Sequence, residues 1–315
     1  MRVSQVLYGI ATFVPGVAAV FGRGAGDTSN ARYCYSVWLR HLVKVFEAAP
    51  NFVHPKVVAE LGPGNSIGVG LAALLSGADE YSAFDVVAHA NVKRNERVFD
   101  ELLSLFAARA DIPDDAELPA VRPLLSSYAF PRHILTEAHL DRALAPSRIA
   151  RIRESIRNHD GADSMIRYRT RWFDETAIER DSVDMLYSQA VLEHVDDLPG
   201  TYRAMALWVK SGGIVSHAID FRCHNTADEW NGHWGYSDLI WKLIRGKRSY
   251  LLNRAPYSGH VQLLRDNGFE LVHRQVDVAE PGGLTREDLA PRFRHLTDED
   301  LTTTTAVVQA LKRAG

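Results

Sequence analysis

The sequence predicts an α/β protein built on a doubly wound, mostly parallel sheet, and three observations carry that reading. From Val57 onward, short apolar runs ending in Gly or Asp alternate with helical stretches, the rhythm of strand-helix-strand units. The first run, KVVAEL at 56–61, leads directly into a glycine-rich turn, GPGNSIG at 62–68. The second run, EYSAFDVV at 80–87, contains Asp85, 23 positions after Gly62.

Taken in order, residues 3–21 form an apolar stretch that Ser4, Gln5 and Thr12 interrupt and Pro15 and Gly16 break. It reads as a kinked helix packed on the main domain. A signal peptide or membrane span is not favoured, and peripheral membrane contact through residues 3–21 is the minor reading. GRGAGDTSN at 22–30 is a loop rich in helix N-cap candidates, and a helix over 31–48 follows with a broad apolar face. A helix through 68–77 separates the first two strands. Residues 91–160, charged and punctuated by prolines at 113, 119, 123, 131 and 146, read as an inserted helical subdomain. Further strands are expected at 164–169, 183–188 and 213–219, with a helix at about 198–210. A second irregular stretch covers 221–257. A helix near 259–267, a strand at 269–276 and a last, β-branched strand at 302–311 complete the chain. The organisation expected is a helical amino-terminal extension, 1–53, and one domain, 54–315, with insertions at about 91–160 and 221–257.

Composition narrows the function. Of 315 residues, 46% are hydrophobic and 24% charged, which excludes a disordered or low-complexity chain. Thirty-six Lys and Arg against 39 Asp and Glu leave no broad cationic field for nucleic acid. Cys34 and Cys223 sit in no CxxC spacing, so neither a disulfide framework nor a thiolate metal site is indicated, and a reducing, cytoplasmic setting is expected.

Glycines at a strand-to-helix turn let the backbone tighten and let a ligand lie against the main chain. Dinucleotide enzymes use the same device, and an acid about 20 residues on chelates a ribose in either case. Glu60 separates the readings. Its carboxylate, two residues before the first glycine, would repel a pyrophosphate but can bind the ammonium of an amino acid.

With VVAELGPGNSIG at 57–68, YSAFD at 81–85, SVDMLYSQAVLEHVDDL at 182–198 and VKSGGIVSHAID at 209–220 in this order, the chain resembles the class I S-adenosylmethionine-dependent methyltransferases. The resemblance extends to the group with an LEHV segment, which includes O-methyltransferases of glycans and small molecules. It implies a Rossmann-like sheet with an antiparallel last strand and S-adenosylmethionine as cofactor. By the same resemblance, Glu60, Gly62, Pro63, Gly64 and Asn65 hold the methionine end, Asp85 the ribose, and Ser188 and Gln189 line the sulfonium. The family's adenine-contacting acid after the third strand has only RWFDE at 171–175 to match it, so Asp174 or Phe173 takes that place.

Methyl transfer to oxygen needs positioning and removal of a proton. His194 and Glu193, just past the fourth strand, are the candidate base and its orienting or acceptor-binding partner. His194 could equally cap or underlie the next helix. The stretch 219–241 gathers Asp220, His224, Trp230, His233 and Trp234, a set that suits a hydroxylated ligand such as a sugar. The competing reading is an excursion whose tryptophans fill a core. A divalent metal held by Asp220, His224 or His233 is conceivable but not favoured, since no tight ligand spacing occurs. Two arginine clusters, Arg148, Arg151, Arg153 and Arg157, then Arg167, Arg169 and Arg171, are phosphate sites if they face the cleft and solvated charge otherwise. The function expected is O-methylation of a carbohydrate, nucleotide-sugar or glycan precursor. The alternatives are methylation of a small aromatic or quinone-like metabolite, a non-catalytic cofactor-binding scaffold and a dehydrogenase.

Overall fold

The computed structural model describes residues 2–14, 27–85, 91–170, 176–248 and 251–313. Seven strands form one sheet: β1 (Val57–Leu61), β2 (Glu80–Phe84), β3 (Ile166–Arg169), β4 (Val183–Gln189), β5 (Val209–Asp220), β6 (Phe269–Val278) and β7 (Thr303–Lys312). Their spatial order is β3-β2-β1-β4-β5-β7-β6. The first five run parallel, and β7 alone is reversed, antiparallel to both β5 and β6. The predicted sheet, with its reversed last strand, is therefore the observed one. The central strands are near-continuous apolar runs because helices cover both faces. Val58, Met185 and Tyr187 enter one core, while Ala59, Leu61 and Leu186 enter the other.

Over the first face lie α2 (Ala31–Ala48), α3 (Gly68–Leu75), α4 (Val92–Ala108), α5 (Glu137–Ala143) and α6 (Pro146–Arg157). Helix α2 starts where the Asn30 side chain accepts from the Arg32 and Tyr33 amides, at 2.9 and 3.3 Å. Its Trp38 packs against Tyr187 of β4, ring centroids 5.6 Å apart. The 91–160 segment shares this core through Phe99, Leu102, Phe106, Ile152 and Ile156. The irregular chain between α4 and α5 closes on a buried Arg40 of α2. The Arg40 guanidinium donates to the carbonyls of Pro113 and Val121 at 2.7 and 2.8 Å and meets Asp115 at 3.0 Å.

The second face carries α7 (Leu198–Trp208) and α9 (Tyr257–Asp266). The 221–257 stretch contains α8 (Asp238–Arg245) and forms two small cores. One gathers Cys223, Tyr236, Trp241, Ile244 and Leu252, with Val6 of α1 (Val3–Ala11) against it; the other joins Trp234 to Leu289, Phe293 and Leu296. Helix α1 lies so close on α8 that a Cβ at Gly9 would stand 1.9 Å from the Leu243 carbonyl oxygen. The expected kink at Pro15 and Gly16 falls outside the described residues. Among those described, no helix is long and apolar enough to cross a membrane.

The arginine clusters are engaged within the fold rather than aimed at a ligand. Arg148 donates to the Leu74 and Ala78 carbonyls and pairs with Asp79; Arg153 pairs with Asp100, Arg157 with Glu96, and Arg169 with Asp160. Arg151 and Arg167 donate to carbonyls of the 161–164 turn. Arg171 lies outside the described residues.

Candidate active site

The turn after β1 is held as a tight bend. Gly62 and Gly64 take φ of +70° and +72°, the left-handed region that a Cβ disfavours. The Gly62 amide donates to the Phe84 carbonyl at 2.8 Å, and a Cβ there would stand 2.5 Å from Val191 Cγ2. Pro63 is buried in the bend and Asn65 half-buried, its carbonyl accepting from Arg94 at 2.7 Å. The loop before α2 latches onto the far side: the Ser66 amide donates to Thr28 Oγ1 at 3.1 Å, and the Ser66 hydroxyl donates to the Thr28 carbonyl.

Two carboxyl groups flank this bend. Glu60 is 3% exposed, and the Tyr81 hydroxyl of the neighbouring strand donates to its Oε2. Burial pushes the Glu60 carboxyl up to about 7; neighbouring tyrosine hydroxyls offset part of that, and the charge of Asp85 adds to it. Asp85 is buried just past β2, its amide donating to the Arg169 carbonyl at 2.9 Å while the Tyr168 hydroxyl reaches its Oδ2 at 3.4 Å. Asp174 and Phe173 lie outside the described residues.

At the end of β4, Ser188 and Gln189 face opposite ways, as successive strand residues must. The Ser188 hydroxyl meets His217 Nδ1 at 2.8 Å, both side chains fully buried. Gln189 Oε1 lies 3.0 Å from His41 Nε2, and His41 Nδ1 lies 2.6 Å from Ser216 Oγ, which also accepts from Gln309 Nε2 at 2.9 Å. Since Oε1 only accepts, His41 carries its proton on Nε2, and the Ser216 hydroxyl donates to Nδ1. Burial lowers His41 to about 4, so the ring stays neutral. This chain fixes the Gln189 amide and leaves its nitrogen to donate elsewhere.

Beyond β4, Leu192–His194 make a single 3-10 turn that Asn253 braces by donating to the carbonyls of Leu192, Glu193 and Val195 at 2.6 to 2.9 Å. Glu193 points inward. Its Oε1 accepts from the Asp220 amide at 3.3 Å, and its buried Oε2 has no partner among the described residues. Burial pushes the Glu193 carboxyl up to about 8, and the Asp220 charge adds to that, so it is chiefly protonated at neutral pH.

Past β5, the Asp220 carboxylate accepts from Arg222 Nε at 2.9 Å and lies 3.2 Å from His224 Nε2. Burial opposes its charge, but the hydrogen bonds from His224 and Arg222 outweigh it and hold Asp220 well below the usual carboxylate range. His224 and Asn225 both adopt left-handed φ, +46° and +63°, a conformation uncommon for non-glycine residues and concentrated at functional sites. The His194 ring is half-buried with its centroid 5.1 Å from that of His224.

The other expected acceptor contacts lie deeper. Trp234 is fully buried, its indole N–H donating to the Arg254 carbonyl at 3.0 Å, so it presents no face to a sugar ring; here the core-filling reading of the tryptophans holds. His233 is buried against Trp234, centroids 4.6 Å apart, and burial lowers it to about 3. Trp230 is half-buried with its ring edge-on to Trp234. Among the described residues, no group of three or more His, Cys, Asp or Glu is arranged to hold a metal ion.

The sheet with its one reversed strand, the glycine bend at its switch point and the carboxyls at the ends of β1 and β2 give the chain the Rossmann-like methyltransferase fold. Residues 132–216 match the family model described as a methyltransferase domain, and the protein is a methyltransferase with S-adenosylmethionine as its cofactor. The donor set suits that molecule: Glu60 is buried beside the bend without a cationic partner among the described residues.

Similar solved structures include an S-adenosylmethionine-dependent methyltransferase from Mesorhizobium loti, at 14% identity over 86% of this chain and 97% of that one, with a TM-score of 0.42. A SAM-dependent methyltransferase from Methanosarcina mazei aligns at 14% identity over 82% and 93%, TM-score 0.43. The geranyl diphosphate C-methyltransferase of Streptomyces coelicolor A3(2) aligns at 10% identity over 86% and 77%, TM-score 0.41. No curated protein matches the sequence.

Sequence reasoning missed Tyr81, His41, Ser216, Gln309 and Asn253. Strand alternation could have found Tyr81, since residues 81 and 83 share a face of β2; nothing in the sequence brings His41 to Gln189, 148 positions away.

Proposed function

We propose that the methyl acceptor is a hydroxyl oxygen of a polyhydroxylated molecule, of the carbohydrate, nucleotide-sugar or glycan-precursor class. The observation that carries this reading is the 3.2 Å contact of His224 Nε2 with Asp220 Oδ2, beside the unpartnered Glu193 Oε2 and the His194 ring. S-adenosylmethionine, when bound, supplies an electrophilic methyl group. Glu60 receives its ammonium, Asp85 its ribose hydroxyls, and the backbone of Gly62–Asn65 lies along its methionine end, with the end of β4 at Ser188 and Gln189 beside the sulfur.

His224, donating from Nε2 to Asp220, keeps its Nδ1 lone pair for the acceptor's hydroxyl proton. Asp220 then stabilises the imidazolium that forms, as an orienting carboxylate does beside other catalytic imidazoles. Glu193, protonated, lies just beneath this wall, accepting from the Asp220 amide, and His194 lines the same space. A small aromatic or quinone-like acceptor would call for an apolar wall, whereas Glu193, Asp220, Arg222 and His224 make this wall polar.

The test pairs turnover with cofactor binding. His224→Asn and Asp220→Asn are expected to lower kcat about 10²- to 10⁴-fold toward a sugar-nucleotide or glycan acceptor, with S-adenosylhomocysteine affinity unchanged in a calorimeter. Full turnover in His224→Asn with loss in His194→Asn would move the base to His194. Activity toward phenols alone would overturn the acceptor class.

A further inference from the structure

Helix α1 turns its apolar residues outward. Val3, Leu7, Ile10 and Val14 recur every three or four residues, and all four are exposed, Leu7 to 63%. Phe13 joins them at 53%; the amides of Phe13 and Val14 donate to the Ile10 and Ala11 carbonyls, so the helical path continues past Ala11. The opposite face, with Gly9, is the one pressed onto α8. A globular helix buries its apolar stripe, and nothing among the described residues covers this one, which marks it as a contact surface.

The charge beside it says what. Residues 2–14 contain no acid. The Lys247 ammonium stands 5.7 Å from the Phe13 ring centroid, the Arg248 guanidinium 4.9 Å from that of Tyr8, and Lys242 is exposed on α8. Three acids of this region are already paired, Asp228 with Arg2, Asp196 with Arg245, and Asp238 with Arg254 and Arg292. Exposed aliphatic and aromatic side chains bordered by unneutralised cations are the composition of a segment lying in the interface of an anionic bilayer.

We infer that the α1–α8 pair is a peripheral membrane-docking surface, in which Val3, Leu7, Ile10, Phe13 and Val14 enter the acyl boundary and Lys242, Lys247 and Arg248 meet anionic headgroups. Helix α8 belongs to the excursion that carries His224, and Arg245 ties it to Asp196, two residues after His194. The docked face is thus joined directly to the acceptor wall.

Vesicle sedimentation of the full chain tests this. Vesicles of equimolar phosphatidylglycerol and phosphatidylcholine are expected to bind the protein at low salt and release it as salt rises. The exposed double variant L7Q/I10Q should bind at least about tenfold more weakly, with unchanged melting temperature and S-adenosylhomocysteine affinity. K242E/K247E should lose the preference for anionic over pure phosphatidylcholine vesicles. No vesicle binding at low salt, or equal binding by L7Q/I10Q, overturns the proposal. So does a dimer in solution that L7Q/I10Q converts to monomer, since a second copy would then be what covers the stripe.

Discussion

Glu60 holds its proton up to about pH 7, well above an ordinary carboxyl, because it is buried among tyrosines with no cation beside it among the described residues. An arriving ammonium reverses that balance, since only the ionised carboxyl gains from the pair. Cofactor-product affinity should therefore be steady above pH 7 and weaken about tenfold per pH unit well below it, as the incoming ammonium must displace a proton. Calorimetry with S-adenosylhomocysteine from pH 5.5 to 8.5 measures this, and Glu60→Gln should abolish the slope; a flat profile in the unmodified protein would remove Glu60 from the ammonium site. Residue types were informative at strand ends: an acid before the bend, an acid after β2 and the histidines after β4 and β5 all stand where the chain was read to place them. Their partners were not legible, because Tyr81 to Glu60 and His41 to Gln189 depend on which strands and helices become neighbours. The buried Trp234 shows the converse, an aromatic that looks available until the second small core closes over it.

Elements were the most legible scale wherever the chain forms a buried run. The helix over 31–48 and the strands from Val57 and Val183 start where periodicity and caps put them, while β2 stops at Phe84, before the predicted 87. The stretch between α4 and α5 has little repeating structure of its own; Arg40 orders it through bonds to carbonyls that no pattern announces. Packing of α3 on β2 supplies a sharp test. A Cβ at Gly70 would lie 2.0 Å from Cζ of Tyr81, within a ring that has no free space to move into. Gly70→Ala should cost at least about 1–3 kcal/mol of stability, read by urea denaturation, and should weaken cofactor binding by displacing the tyrosine that holds Glu60. A melting curve and affinity matching the unmodified protein would show that α3 is not seated as described.

At the scale of the whole molecule, burial has put several titratable groups in their neutral forms, and the two kinds pull stability in opposite directions with pH. His41 is lowered to about 4, and His54, His217, His233 and His260 to about 3, chiefly by burial. Their contribution is complete above the unfolded histidine value near 6.5 and is lost as pH falls through their folded values. Glu60 and Glu193, raised to about 7 and about 8, contribute stability that is full below the unfolded carboxylate value and lost as pH rises through 7 and 8. Stability should peak at about pH 7 and fall on the acid side by about 1.4 kcal/mol per pH unit for each net proton taken up on unfolding. Urea midpoints at pH 5.5, 7 and 8.5 check this; equal midpoints at 5.5 and 7 would mean that the histidines are not buried as neutral rings. None of these depths was legible in the sequence, where a histidine in an apolar run and one at a strand end look alike.

The most direct test of the account is the structure of the protein bound to S-adenosylhomocysteine. The ribose hydroxyls should lie on the Asp85 carboxylate, the amino group beside Glu60, and the sulfur at the end of β4, open toward the space bounded by His194, Glu193 and His224. A ligand whose ribose sits away from Asp85, or whose sulfur is walled off from His224, would contradict it.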